Sequence, residues 1–433
     1  MSHDRVLNHS LDLLWKAWHG PEPLRLSLPA DWKIRECRMA DAPDATEAEL
    51  LAGLRTPVAG STLGEAIAQR AQKIGRIPRV CIAVDDLERP TETFRLLPPL
   101  LADLNAAGVG DDCILVVVSL GTHRPLTRQD LLKKCGPETV ARLRIVNHDP
   151  HQNLVEVGVT SWGNPVRLNR WWVEADFRIG IGMLSPHGFA GYSGGSKIVM
   201  PGLTDIETIA RNHQPAVQGL SGKIGQVKGN TRREEIEEVG RMSGLDFVVN
   251  TISTSRGTTA AVFAGAPEAA FQAAAAFAQK VYVTRVAYGN DLAIFNCFPK
   301  DTELLQALNC LNIWSSRAPE RQIVKDGGTI VVITAASEGL GHHGLFGPGM
   351  RLCVRRDRHG MFGEILRTRR LAFVSPNLNR RDLDELYPPE TLLFNTWKAT
   401  REWLVTQHGD RADVALIPTG PLQIAEEDIV ALG

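Results

Sequence analysis

The sequence predicts an α/β protein of two α/β domains with mainly parallel sheets and an active-site cleft between them. Two observations carry this. Short, almost uninterrupted apolar runs alternate with amphipathic helical patterns, and the polar clusters fall just after the apolar runs. A parallel strand is covered on both faces, so its sequence is apolar throughout rather than alternating. Ligands of such sheets bind beyond the carboxyl ends of the strands. With 433 residues, 43% apolar and 22% charged, the chain has an ordinary globular composition and ample length for two cores.

Taken in order, residues 1–20 read as a short amphipathic lead-in with helical character, and Leu24–Leu28 alternates with period two, as a strand does. The stretch from Ala59 to Gln72 has Ser61 or Thr62 as a cap and good helix formers behind it. Arg79–Val84 is a buried strand ending at Asp85-Asp86-Leu-Glu-Arg89, and a helix pattern follows from Thr93 to Ala107. The next strand, Cys113–Ser119, ends at Gly121-Thr-His123-Arg124 and leads into a helix. Ala141–Val146 is a third strand, running into Asn147-His148-Asp149. Phe177–Met183 is a fourth, and the segment beyond Gly202 is a helix carrying His213.

A charged helix follows at Thr231–Gly240, then a hairpin-like pair at Phe247–Asn250 and Ala260–Phe263, and an alanine-rich helix from Glu268 to Lys280. The pattern restarts with strand Leu292–Phe295, helix Thr302–Leu311, strands Gly328–Thr334 and Leu371–Val374, helix Thr396–His408 and strand Val414–Ile417. The restart places a boundary near residue 285. Residues 1–284 form a catalytic and cofactor-binding domain, and 285–433 an α/β domain contributing to the substrate pocket.

Charge and composition exclude several classes. A net charge of −1 leaves no electrostatic footprint for nucleic acid or an anionic membrane. No apolar run reaches the ~18–20 residues that span a bilayer, and the first ten residues lack the pattern of a secretion signal. The seven cysteines are scattered without a C-x-x-C pair, which favours free thiols in a cytoplasmic protein over a disulfide framework or thiolate zinc site.

The richest stretch runs from Gly182 to Gly202, with His187 and Lys197 among its glycines. A strand that ends in such a loop and enters a helix is one way to seat an anion. Gly191-Tyr-Ser-Gly-Gly-Ser-Lys197 falls short of a P-loop, because Ile198 stands where Ser or Thr would hold magnesium. There is no dinucleotide fingerprint and no G-x-S-x-G elbow. His148 and His151 have the spacing of a zinc pair but lack a third ligand. His123, His187 and His213 lie in or just beyond polar loops, in the same strand-end layer as Asp86, Arg89 and Lys197. Imidazole is the usual base near neutral pH and a common metal ligand, and proton chemistry on two faces of a substrate needs two bases.

The set Asp85-Asp86-Leu-Glu-Arg89-Pro-Thr, Gly121-Thr-His123-Arg, Asn147-His-Asp149, Pro186-His187-Gly-Phe-Ala-Gly191-Tyr-Ser-Gly-Gly-Ser-Lys197, Pro201-Gly202 and His213 resembles the lactate racemase family. The resemblance covers most of the N-terminal domain and extends, more weakly, to the C-terminal one. It implies a nickel-pincer nucleotide cofactor, a pyridinium-3,5-bisthiocarboxylic acid mononucleotide holding nickel, covalently attached to Lys197. It implies His213 as the nickel ligand, His123 and His187 as the two acid/base residues, and Asp86 as an active-site residue near the cofactor. Ser193, Gly194 and Gly195 would seat the nucleotide phosphate, and Arg89 would bind the substrate carboxylate. The implied reaction is racemisation or epimerisation of a small-molecule 2-hydroxy acid by hydride removal and return at Cα. Cofactor-biosynthesis proteins are the implied partners, with no nucleic acid and no membrane.

One departure bears on substrate. Family members acting on lactate carry Gln-x-x-Lys after a Pro-x-Asp turn, whereas here Pro299-Lys-Asp301 is followed by Gln306-Ala-Leu-Asn309. Nor is the Asp-Gln-Trp-x-x-Gln motif of the lactate enzymes present; in that region stands Glu338-Gly-Leu-Gly-His342-His343. Gln306 and Asn309 as substrate-binding amides predict a 2-hydroxy acid other than lactate, larger or polyhydroxylated. Two other readings use the same residues: a lyase or isomerase without the pincer cofactor, and a nucleotide- or anion-binding protein that keeps only the loop.

Overall fold

The computed structural model describes residues 8–214, 220–314, 316, 318–347, 350, 360–384 and 386–429. The chain divides into two compact units. The first holds Ala42–Val281 together with His343–Leu345; the second holds the chain up to Asp41, Tyr282–His342 and Phe346–Ile429.

In the first unit the helices are α1 (Glu47–Arg55), α2 (Leu63–Ile74), α3 (Thr93–Ala106), α4 (Arg128–Cys135), α5 (Pro137–Arg142), α6 (Arg170–Glu174), α7 (Ile206–His213), α8 (Thr231–Met242) and α9 (Pro267–Tyr282). Their starts are encoded locally. Thr46, Thr62 and Thr127 each accept from the third helical N–H while Glu49, Glu65 and Asp130 reach back, three capping boxes. The six strands of its main sheet are β1 (Val80–Val84), β2 (Ile114–Val118), β3 (Arg144–Asn147), β4 (Phe177–Met183), β5 (Phe247–Ser253) and β6 (Thr259–Gly265). Their spatial order is β6-β5-β4-β1-β2-β3, all parallel except the β5/β6 hairpin. Every residue of β1 is buried, as helices on both faces require.

This order fixes where a ligand belongs. From β1 the chain winds outward through β2 and β3, then returns to β4 and winds the other way. The reversal leaves a crevice beyond the carboxyl ends of β1 and β4, since their following loops diverge to opposite faces. The loops that start there are Asp85–Thr91 and Leu184–Lys197.

The second unit has a fully parallel sheet in the order 392–394, 370–374, 324–333, 290–296, 413–417, 33–36. Apolar clusters cover both faces, one around Phe295, Trp314 and Phe373 and the other around Trp32, Ile294 and Leu416. Lys33–Glu36 pairs with Asp413–Leu416, so the beginning of the chain completes the sheet of the other domain and the division is not at 285 alone. The helical lead-in is also corrected, because Asn8–Trp15 is a strand paired with Glu22–Pro29. Leu11 faces Leu26 and Leu13 faces Leu24, and a partner with matching period-two leucines outweighs local helix propensity. The third strand starts at Arg144 because α5 occupies Pro137–Arg142. The expected helix over Thr302–Leu311 is one α-turn, Leu304–Ala307, followed by a 3-10 turn. Among the described residues no helix is long and apolar enough to cross a membrane, and six cysteines are free. Cys353 lies outside the described residues.

His148, just past β3, is buried at 3% exposure. Its Nε2 donates to the Thr204 carbonyl at 2.9 Å, and its Nδ1 accepts from the Asn169 amide at 3.1 Å. With both nitrogens engaged by the fold, no zinc pair with His151 forms. Burial pushes the His148 ring down to about 4, against the Thr204 carbonyl and the Asp149 and Asp205 charges. The folded ring therefore resists a proton that the unfolded chain accepts near 6.5, and stability falls as pH drops from 6.5 towards 4. Urea unfolding at pH 7 and pH 4 should show His148→Gln losing about 2–3 kcal/mol less than the parent across that interval. Equal losses would remove His148 from the acid response.

Candidate active site

The loop after β1 is organised by a lysine from α4. Lys134 is fully buried. Its Nζ sits 2.6 Å from the Asp85 carboxylate and donates to the carbonyls of Asp86 at 2.9 Å and Arg89 at 3.1 Å. The other Asp85 oxygen accepts from the Thr91 hydroxyl at 2.6 Å and the Met183 N–H at 2.9 Å. Asp85 thus joins the ends of β1 and β4, and Lys134 pins the backbone that presents Asp86 and Arg89. The Arg89 guanidinium makes no hydrogen bond or ion pair among the described residues, yet its charge acts on Asp86.

Asp86, 4% exposed, accepts from His123 Nδ1 at 2.5 Å and from the Glu88 N–H at 3.0 Å. Burial opposes its ionisation, but the charge and hydrogen bond of His123, with Arg89 and Lys134, override it and hold the carboxyl at about 2. The His123 proton facing Asp86 is therefore on Nδ1, and Nε2 is the nitrogen presented elsewhere. His123 rides on the turn after β2, where the Gly121 N–H donates to the Gly202 carbonyl at 3.0 Å and the His123 N–H to the Leu120 carbonyl at 3.0 Å. Asp86 thus stands against the His123 ring.

The loop after β4 makes a small hairpin in which His187 pairs with Gly191. A Cβ on Gly191 would lie 1.9 Å from the Gln226 carbonyl oxygen, and its φ is +72°; only glycine fits. The His187 Nδ1 accepts from the backbone N–H groups of Ala190 at 3.1 Å and Phe189 at 3.3 Å. Its proton accordingly resides on Nε2, the reverse of His123.

Lys197, 8% exposed, lies in the 3-10 turn Gly195–Ile198. Arg233 of α8 supports that turn from below. Its guanidinium donates to the carbonyls of Tyr192 at 3.3 Å and Gly194 at 3.1 Å, lies 3.5 Å from the Phe271 ring centre and pairs with Glu237. Glu237 also accepts from the Ser196 hydroxyl. The amide of Gly195 donates to the Asn250 side chain at 2.8 Å. The Ser193 hydroxyl bridges the Met183 carbonyl at 2.8 Å and the Ser185 N–H at 2.9 Å. Ser193 and Gly195 are thus engaged within the fold, and the expected phosphate cradle over Ser193, Gly194 and Gly195 does not stand open in that form.

His213, in the last turn of α7, donates Nδ1–H to the Ile209 carbonyl at 3.0 Å. Burial drives its ring down to about 3, helped by the charges of Lys197, Arg232 and His123 and opposed by the Ile209 carbonyl. The Phe189 ring centre lies 6.2 Å from that of His187 and 6.4 Å from that of His213. A neutral imidazole whose Nδ1–H is fixed on a carbonyl presents Nε2 as a metal donor. No group of three or more His, Cys, Asp or Glu side chains among the described residues is arranged to hold a metal.

The structure therefore brings Asp86, Arg89, His123, His187, Lys197 and His213 into one domain, on loops and helices that follow β1, β2 and β4. Gln306 and Asn309 belong to the other domain, where the Asn309 amide donates to the Gln306 carbonyl at 2.6 Å. Sequence reasoning passed over Lys134 and Arg233, and noted His343 only within a loop that departs from the lactate enzymes' pattern. The first two look like surface cations of helices, and nothing local marks them as buried.

Replacing Lys134 with Met leaves Asp85 buried without its cation, which should cost about 3–5 kcal/mol of stability. Adding Asp85→Asn to Lys134→Met should recover part of that loss. Chemical denaturation checks both, and a Lys134→Met protein as stable as the parent would refute the junction.

Residues 19–223 match the family described as the lactate racemase N-terminal domain. The chain is similar to the lactate racemase of Lactiplantibacillus plantarum, 29% identical over 272 residues, and to that of Thermoanaerobacterium thermosaccharolyticum, 24% identical over 271. Each similarity spans 62% of this chain and 62% of the relative. The fold is also that of the lactate racemase apoprotein from T. thermosaccharolyticum, with a TM-score of 0.74 and 19% identity over 96% of this chain and 100% of that one. A Thermotoga maritima protein superposes with a TM-score of 0.65 and 16% identity, covering 89% and 99%. All six site residues of the first domain fall within the span that matches the lactate racemase N-terminal domain.

Proposed function

We propose that the protein is an isomerase that racemises or epimerises a 2-hydroxy acid. The observation that carries this is the pair His123 and His187, held in one domain with Nδ1 of each ring committed to the fold in opposite senses, donating in His123 and accepting in His187. In their neutral forms His123 offers a lone pair at Nε2 and His187 a proton at Nε2. Inversion at a hydroxyl-bearing carbon needs one group to take the hydroxyl proton on one face and another to return a proton on the other. The Asp86 carboxylate faces the charge that His123 carries whenever it holds two protons. The same pair serves both directions, with the roles exchanged. Arg89, with no ion pair of its own among the described residues, suits the substrate carboxylate.

The donor set fits a nickel-pincer nucleotide. His213 offers one neutral nitrogen, its Nδ1–H held on the Ile209 carbonyl, which suits a metal whose other ligands come from the cofactor itself. Lys197 would carry that cofactor covalently and His213 would hold its nickel. When bound, it supplies the hydride acceptor and donor at Cα, chemistry that no side chain here provides. The chain's own part is to bind the carboxylate, hold the hydroxyl against His123 or His187, and move the proton. Proteins that make the cofactor would then be its partners.

The substrate is proposed to be a 2-hydroxy acid other than lactate, larger or polyhydroxylated. Gln306 and Asn309, already hydrogen-bonded to each other, present amides suited to hydroxyl groups in place of a cation. The test is protein co-produced with the cofactor-making proteins, examined by intact mass and by a panel of chiral hydroxy acids. A mass increment at Lys197, one nickel per chain, and activity lost by about 10²-fold or more in His123→Gln and His187→Gln are expected. An unmodified Lys197 under those conditions would refute the cofactor, and fastest turnover on lactate would refute the substrate.

A further inference from the structure

The turn that carries His123 holds a second imidazole with no role so far. His343 lies 221 residues beyond Thr122, yet the three-residue stretch His343–Leu345 counts with the first domain. Its backbone forms an antiparallel bridge with His123, and the Gly344 N–H donates to the Thr122 carbonyl at 2.7 Å. The Thr122 hydroxyl lies 3.0 Å from His343 Nδ1 and 3.1 Å from Nε2. The Leu345 N–H approaches Nδ1 at 3.2 Å. So held, the His343 ring meets the His123 ring edge-on, with centres 5.2 Å apart and planes at 63°.

One hydrogen bond does not fix an imidazole. The Asp86 contact sets the direction of His123 Nδ1, but the ring can still swing about that contact and carry Nε2 off its target. A second ring packed against it removes that freedom. We propose that His343 is a positioning residue for His123, holding its Nε2 in the orientation that proton transfer needs. The role rests on the acid/base reading of His123 given above. It assigns this function to a residue outside the span that matches the family.

The test has a readout that needs neither substrate nor cofactor. A proton between His123 Nδ1 and Asp86, across 2.5 Å, is strongly deshielded and gives a low-field proton resonance, identified by its loss in Asp86→Asn. In full-length His343→Ala, exchange of that proton with water should rise about tenfold or more, because the ring opens the bond more often. His343→Phe, which keeps the ring contact, should stay within about threefold of the parent. In the active holoenzyme, His343→Ala should lower kcat about 10–100-fold with KM changed less than about threefold, and Phe should restore most of it. Unchanged exchange in a folded His343→Ala protein, or exchange as fast in His343→Phe as in His343→Ala, would overturn the proposal. Because the resonance is read without turnover, that result leaves the racemase reading standing, while inactivity on every hydroxy acid with the exchange contrast intact would fault the racemase reading and not the restraint of His123 by His343.

Discussion

The rest of the site depends on one buried ion pair, Lys134 with Asp85. A fully buried ammonium is tolerable only with its charge matched and its protons bonded. Lys134 meets both conditions, with one carboxylate and two carbonyls around its Nζ. Those carbonyls belong to Asp86 and Arg89, so satisfying the lysine dictates the path of the loop that displays them. Asp85 carries the constraint across the sheet through the Met183 N–H. A single junction therefore couples α4, the end of β1 and the end of β4 at the point where the strand order reverses.

Four histidines show how partners, not residue type, decide what an imidazole can do. His148 has both nitrogens engaged by the fold and serves as a buried strut. His123 and His187 use the same nitrogen in opposite senses, one donating to a carboxylate and one accepting from backbone. His213 donates Nδ1–H to its own helix and is kept neutral by burial. Each assignment follows from which groups the fold places within about 3 Å of Nδ1.

Much of the architecture was legible because parallel strands are apolar along their whole length. Val80–Val84, Ile114–Val118 and Phe177–Met183 stand out for that reason, and the chemistry-bearing residues follow them directly. The N-terminal hairpin was not legible, since Asn8–Trp15 becomes a strand only against the leucines of Glu22–Pro29. Lys33–Glu36 was missed for a similar reason. It is short and mixed in polarity, and its partner, Asp413–Ile417, lies near the other end of the chain. In the glycine-rich loop the pattern suggested open amides, but hydrogen bonds from Ser193 and Gly195 close inward on Met183, Ser185 and Asn250.

By itself the sequence determined the α/β class, the strand ends that carry the candidate site residues, and the residues that resemble lactate racemases. Periodicity and motif order are local properties, so they survive without coordinates. Only the tertiary structure decided that Lys134 and Arg233 are buried supports rather than surface charges. It also decided which nitrogen of each histidine faces the fold, and that His343 packs on His123. Those outcomes depend on long-range proximity and on the loss of water around a charge, and neither is written in the spacing of residues along a chain.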